Sequence, residues 1–283
     1  MVGRSPALLA PALLLLAGLF VLPLVLLAAI GVFPVRGGTI VWEAPNLAPP
    51  LRYVTDPFYL RITLRTVGMA ATVTLVCAVL GFPYAYVFTR MSPAWQTVLL
   101  VLVLSPILTG TVVRSYGWLV ILGRRGLLND LLRGLGIIDE PLRLLFTMQG
   151  VVIALAQVML PFMVLPIISV LVRQNPSLYD AARGLGASRA QAIRHVVLPL
   201  SLPGILAGSA LVFVLAFASF TTPALVGGGT FIILPTLIYQ QTQQSLDWGI
   251  LSAISLVLLG TSLVVVGLYT ALVRRLGLGW AER

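Results

Sequence analysis

Residues 173–195 read RQNPSLYDAARGLGASRAQAIRH, and the chain on either side is apolar, from about 148 to 172 before it and from about 200 to 220 after it. A stretch of ~20 apolar residues is what a helix needs to cross a bilayer core, so a polar insert sits here between two membrane spans. The insert has its own grammar. Ser177 stands three residues before Asp180, a capping-box spacing with Asp in place of Glu or Gln, and Ser188 stands three before Gln191, repeating it. Between them Gly186 can take the left-handed conformation that ends one helix and lets the chain turn. The spacing predicts a short helix, a glycine turn and a second helix running to Pro199. Two uses are open on physical grounds: a rigid docking element, or a basic juxtamembrane loop touching anionic lipid.

Composition extends the same reading to the whole chain. Of 283 residues, 59% are hydrophobic and 9% charged, against roughly 45–50% and about 25% in soluble domains; the mean hydropathy is +1.05. A soluble enzyme, a nucleic-acid-binding domain or a disulfide-stapled secreted fold is excluded. The net charge of +10 comes from 18 basic residues, all Arg, scattered between apolar runs, so it forms no nucleic-acid surface. With no Lys in the chain, a P-loop ATPase is excluded, since that site needs a Lys on the phosphates. One Cys (Cys77, within an apolar run) and one His (His195) provide neither a disulfide framework nor a metal cluster. No cofactor is expected.

Working outward, six spans are predicted, at about 7–33, 63–88, 97–113, 148–172, 200–220 and 250–273. The first is nearly twice the ~7–15-residue apolar core of a signal peptide and reads as uncleaved. The Pro-rich segment from Pro34 to Arg61 is too polar for lipid. Leu127, Leu128, Leu131, Leu132 and Leu135 recur at helical spacing, predicting a short interfacial helix. Residues 221–247, with Gly227, Gly228 and Gly229, admit a partly re-entrant loop. The fold class expected is an all-α integral membrane protein, a single transmembrane domain over 1–283 with the polar loop at 173–199. Arg counts give nine on each side, but six of the eight acids fall opposite the termini, in longer loops, which favours cytoplasmic termini.

Asp180-Ala181-Ala182, three residues, Gly186, nine residues, then Val196-Val197-Leu198-Pro199 resembles the EAA motif of ABC importer permeases. The spacing matches throughout; Asp180 stands where Glu is usual and Val196 where Ile is usual. Arg114-Ser-Tyr-Gly-Trp118, Gly126-Leu-Leu-Asn129, Leu135-Gly-Ile-Ile-Asp139, Leu160-Pro-Phe-Met-Val-Leu-Pro166, Leu198-Pro-Leu-Ser-Leu-Pro-Gly204 and Asp247-Trp248 are similar to the first permease subunit of spermidine/putrescine importers. Permeases for opines, other amines and ferric iron share much of this pattern.

The resemblance implies a six-helix type I importer permease of the bacterial inner membrane, MetI-like in architecture, and not itself an enzyme. It implies a second permease subunit, a dimer of cytoplasmic ATPase subunits, an extracytoplasmic substrate-binding protein, and an EAA loop (Asp180, Ala181, Ala182, Gly186, Val196, Leu198, Pro199) docked on the ATPase in the cytoplasm. A separate ATPase fits a chain without Lys. An ion-coupled secondary transporter is the weaker reading, because the six runs contain no Asp, Glu or His. A membrane hydrolase would need paired carboxylates or a Ser/His or metal constellation.

For a polycationic cargo the pathway would use aromatic faces and carboxylates. Tyr116, Trp118, Asn129, Asp130, Tyr239, Asp247 and Trp248 are the residues that qualify, although Tyr and Trp also ring membrane interfaces. Arg114 would anchor a helix end or pair with an outer acid. Tyr84 and Tyr86 read as packing. Pro161 and Pro166 would bend the fourth span, and Gly204 and Gly208 would let the fifth pack closely.

Overall fold

The computed structural model describes residues 10–36, 39–41, 44–175, 177–244 and 248–275. In chain order these form α1 (Ala10–Val32), a two-residue antiparallel ladder of β1 (Val35–Arg36) with β2 (Thr39–Ile40), α2 (Ala48–Thr55), α3 (Pro57–Phe88), α4 (Pro93–Leu108), α5 (Thr111–Leu122) and α6 (Leu127–Gly134). There follow α7 (Met148–Leu171), α8 (Ser177–Gly184), α9 (Arg189–Ala192), a π-helical turn (Ile193–Val197), α10 (Leu198–Phe217), α11 (Thr221–Val226), α12 (Leu234–Gln244) and α13 (Trp248–Arg275). Among the described residues, five helices are long and apolar enough to cross a membrane, and six if the pair beginning with α4 counts as one broken span. The protein is helical, as its composition requires: in lipid, each backbone N–H and C=O must be satisfied within the segment.

The chain divides into two compact units, the first being the described residues within Met1–Thr63 and Leu237–Gly260. In this unit the Leu-rich α1 leaves Leu14, Leu16, Leu19, Phe20 and Leu22 largely exposed, surface suited to lipid. Ser252 Oγ donates to the Leu27 carbonyl, and Gly31 leaves the space that the Ser252 hydroxyl fills. The Pro-rich segment expected to be too polar for lipid contains α2, and just before it Asn46 Oδ1 accepts the Ala48 amide at 2.9 Å. It also holds the first turn of α3, where Asp56 Oδ1 accepts the Phe58 amide at 2.8 Å with Pro57 beside it. α3 therefore begins six residues before the apolar run at 63.

The second unit comprises the described residues within Leu64–Thr236 and Thr261–Arg283. Its centre is α7 against α10. Val151, Leu155, Met163, Val164 and Ile167 of α7 are fully buried. The helices approach closely because α10 presents Gly204 and Gly208: a Cβ on Gly204 would lie 2.8 Å from the Pro166 carbonyl oxygen, and one on Gly208 2.8 Å from Met163 Sδ. The expected close packing is thus directed at the part of α7 holding Pro161 and Pro166, through which that helix runs uninterrupted. Met69, Val73 and Cys77 form a fully buried stripe on α3 at four-residue spacing. The Cys77 thiol points at the Ala156 carbonyl, 3.5 Å away.

Two expectations are corrected. The apolar run at 97–113 is not one helix: α4 stops at Leu108, Thr109 and Gly110 are extended, and the chain turns through 101° into α5. Hydropathy does not register such a break, since both arms are apolar. The second helix of the 173–199 segment does not stop at Pro199. It continues through the π turn into α10, the Leu198 amide reaching the Ile193 carbonyl. A widened turn accommodates the proline ring that would otherwise meet the carbonyl four residues back.

Of the 221–247 segment, residues 221–244 fold as α11, a turn at Gly228 and Gly229, and α12, with Thr222, Pro223, Val226, Phe231 and Ile233 buried, and 245–247 lie outside the described residues. α11 packs on α5 and α7. The predicted amphipathic helix near 127–135 is α6.

Candidate functional site

The 173–199 segment is ordered by its own backbone. At the end of α8 the Gly186 amide bonds the Arg183 carbonyl at 3.1 Å and the Ala187 amide bonds the Ala182 carbonyl at 3.1 Å, the paired bonds of a Schellman turn. Gly186 has φ +88°, as the turn requires. The Arg183 guanidinium donates to the Ala187 carbonyl at 2.7 Å, bracing the far side. Ser188 then starts α9 with a complete capping box: its Oγ accepts the Gln191 amide at 3.2 Å, and Gln191 Oε1 accepts the Ser188 amide at 2.8 Å. The first box is different. Ser177 lies within the first turn of α8, and it is Asn175 Oδ1 that accepts the Ser177 amide, at 3.0 Å. This is the local turn an Asn side chain makes with the amide two residues on, at the start of a helix.

α8 buries none of its residues; Ala181 and Asp180 are exposed, and Asp180 has no ion-pair or hydrogen-bond partner among the described residues. Val196 and Val197 turn inward, to the floor of a cavity of about 440 Å³. Its walls carry Tyr86, Arg90, Gln174 and Tyr179. Arg90 holds its guanidinium carbon 4.4 Å from the Tyr179 ring centre and 5.1 Å from that of Tyr86. Gln174 Nε2 is buried without a hydrogen-bond partner among the described residues. Tyr84, the other tyrosine read as packing, donates to the Leu99 carbonyl on α4 at 2.5 Å.

The pathway residues named from sequence separate by environment. Trp118 on α5 donates its indole N–H to Gln157 Oε1 of α7 at 2.9 Å. Together with Ser105, Thr109 and Arg114 the pair lines an open cavity of about 340 Å³. Arg114 meets no acid among the described residues: its Nη1 turns back onto the carbonyls of Pro106 and Thr109, 3.1 Å from the latter, and so holds the end of α4. It thereby satisfies acceptors freed where α4 ends. Tyr116 is 56% exposed on α5. Asn129 is fully buried, and its carboxamide bonds the Gly123 carbonyl and both the carbonyl and amide of Leu142, at 2.8–3.1 Å. That leaves it a loop-holding role. Asp130 is exposed in the first turn of α6. Tyr239 and Trp248, both exposed, belong to the first unit. Asp247 lies outside the described residues.

Sequence reasoning passed over Gln157 and Arg90. Gln157 was detectable as the polar side chain in the middle of the fourth apolar run. Arg90 carried no signal, because its partner Tyr179 lies far along the chain.

Residues 5–278 match the family described as binding-protein-dependent transport system inner membrane component. Over 213 residues the chain is 37% identical to the spermidine/putrescine transport system permease protein PotB of Escherichia coli K12, covering 75% of this chain and 76% of that one. It is 34% identical over 224 residues to PotB of Haemophilus influenzae, covering 79% and 78%. Among solved structures, a bacterial ABC transporter that imports the acidic polysaccharide alginate matches with a TM-score of 0.72 at 18% identity, covering 95% of this chain and 94% of that one. At that identity the likeness concerns the fold.

Proposed function

The chain belongs to the family of binding-protein-dependent transport system inner membrane components, and we propose that within a complete ABC importer it forms one half of the path for a polyamine. The cargo reading draws on the two PotB relatives and on the aromatic faces and external carboxylates read from the sequence. ATP is hydrolysed by a separate cytoplasmic subunit pair, a second permease chain completes the path, and a soluble binding protein delivers the cargo from outside. The membrane is the bacterial inner membrane, with both termini cytoplasmic.

One observation carries the coupling half of this reading: a rigid, solvent-facing α8–turn–α9 whose second helix is continuous with a spanning helix. A push on α8 and α9 is passed along a hydrogen-bonded helix into α10. The glycine contacts of α10 press on the α7 backbone, so these two helices move together. Asp180 and the other exposed residues of α8 meet the ATPase; Val196, Leu198 and Pro199 form the bend through which α9 enters the membrane. On the opposite half, the Trp118 ring supplies a π face for an ammonium group, and Gln157 supplies a carbonyl oxygen.

Cargo is tested by expressing the whole importer in a host lacking its own polyamine uptake. Labelled putrescine or spermidine should accumulate; import of an opine, another amine or ferric iron with both polyamines ignored would overturn the cargo while leaving the class. Sidedness is tested with Ser188→Cys and Asn46→Cys in a Cys77→Ser background, using a membrane-impermeant thiol reagent on cells with a permeabilised outer barrier. Only Asn46→Cys should label.

A further inference from the structure

We propose that Arg90, in the turn joining α3 to α4, is a positioning residue of the coupling machinery. Its guanidinium, 4.4 Å from the ring centre of Tyr179 and 5.1 Å from that of Tyr86, latches α8 to the inner end of α3. This rests on the reading of 173–199 as the segment that meets the ATPase.

The need for a latch follows from how little else holds α8. The helix buries none of its residues. It packs on α9 and the π turn, both within the same segment, and its Tyr179 hydroxyl also meets that of Tyr86. Arg90 reaches it from outside that segment, and Tyr179 is its point of contact. Tyr86, the second ring the cation meets, lies in the last turn of α3, a helix that packs on α7 through Cys77 against the Ala156 carbonyl and Gly81 against Met163. Movement of α8 therefore enters the spanning helices by two lines: along α9 into α10, and across Arg90 into α3.

A cation shared by two aromatic rings suits this task. The attraction tolerates sliding over the ring face better than a linear hydrogen bond does, so α8 can shift and keep the contact. Without the cation, α8 can stay seated on the ATPase while α3 lags, and hydrolysis then proceeds with less cargo moved.

The experiment uses the complete importer in proteoliposomes and reads cargo transported per ATP hydrolysed, with co-purification of the ATPase subunit alongside. Arg90→Ala should keep the ATPase attached and lower the transport-to-hydrolysis ratio about two- to fivefold, the range of a partly exposed cation–π contact. Arg90→Lys should restore most of the ratio, since an ammonium also binds a ring face. Tyr179→Phe, which keeps the ring and loses only the hydroxyl contact with Tyr86, should retain most of the ratio, Tyr179→Leu should be at least as impaired as Arg90→Ala, and the double variant should be no worse than Tyr179→Leu. A normal ratio in Arg90→Ala, or losses that multiply in the double variant, would overturn the latch. Gly186→Val separates the two levels. If it disrupts ATPase attachment while Arg90→Ala stays normal, the latch alone fails; if it too is normal, the reading of the whole segment fails.

Discussion

Trp118 and Gln157 are joined by a single hydrogen bond, indole N–H to carboxamide oxygen at 2.9 Å, between α5 and the midpoint of the most buried spanning helix. A polar pair there is expensive in lipid and belongs on a water-filled or protein-lined face. Gln157→Leu removes the acceptor of the indole N–H, an exposed bond worth about 0.5–1.5 kcal/mol, and removes the oxygen offered to cargo. Uptake per assembled complex should fall by about tenfold, on the scale of 1.4 kcal/mol per decade. Unchanged uptake would remove the pair from the pathway.

The turn at Gly186 makes a sharper prediction. With φ at +88°, a β-branched residue is strained by on the order of 1–3 kcal/mol, enough to misplace a helix that buries nothing of its own. Gly186→Val should leave the spans inserted and reduce ATPase co-purification. Gly186→Asn should do so much less, because Asn tolerates the left-handed region. Equal behaviour of the two variants would mean that backbone conformation is not what the position supplies.

Glycines in the spanning helices should split by environment. At Gly204 a Cβ meets the Pro166 carbonyl oxygen at 2.8 Å and Ile167 Cα at 2.9 Å, backbone atoms that no rotamer change can move. Gly204→Ala should destabilise by about 1–3 kcal/mol, seen as a lower thermal midpoint in detergent. Gly68 on α3 has nothing within 4 Å of its would-be Cβ. Gly68→Ala should be neutral or stabilising by up to ~1 kcal/mol from helix propensity.

Tyr53, on α2, gives a pH test. Burial pushes its phenol above the ordinary value of about 10, and the hydrogen bond with Thr63 partly offsets this. The folded state thus favours the neutral phenol. The resulting stability is fully present below pH ~10 and is lost as pH rises through the raised folded value. The difference in phenolate absorbance between wild type and Tyr53→Phe should place that ionisation above the bulk tyrosines, and Thr63→Val should move it higher still. Ionisation of Tyr53 with or before the bulk would refute the burial argument.

What the sequence determined by itself is what depends on local chemistry and on the solvent. Bilayer class follows from composition, since apolar runs of spanning length leave no alternative. The Schellman turn at Gly186 and the capping box of Ser188 with Gln191 are legible because every bond in them closes within about five residues. The capping box read at Ser177 and Asp180 is replaced by a bond from the Ser177 amide to Asn175 Oδ1, which depends on how the chain leaves α7.

Tertiary structure decided what apolarity hides. Lipid and protein core select the same side chains, so no periodicity marks which face of α7 receives Gly204 and Gly208. The same blindness conceals the 101° turn after Thr109, where both arms are apolar and Arg114 satisfies the freed carbonyls. The Trp118–Gln157 bond joins residues 39 positions apart, and Arg90 reaches Tyr179 across two spanning helices. Such contacts exist only once the helices have packed.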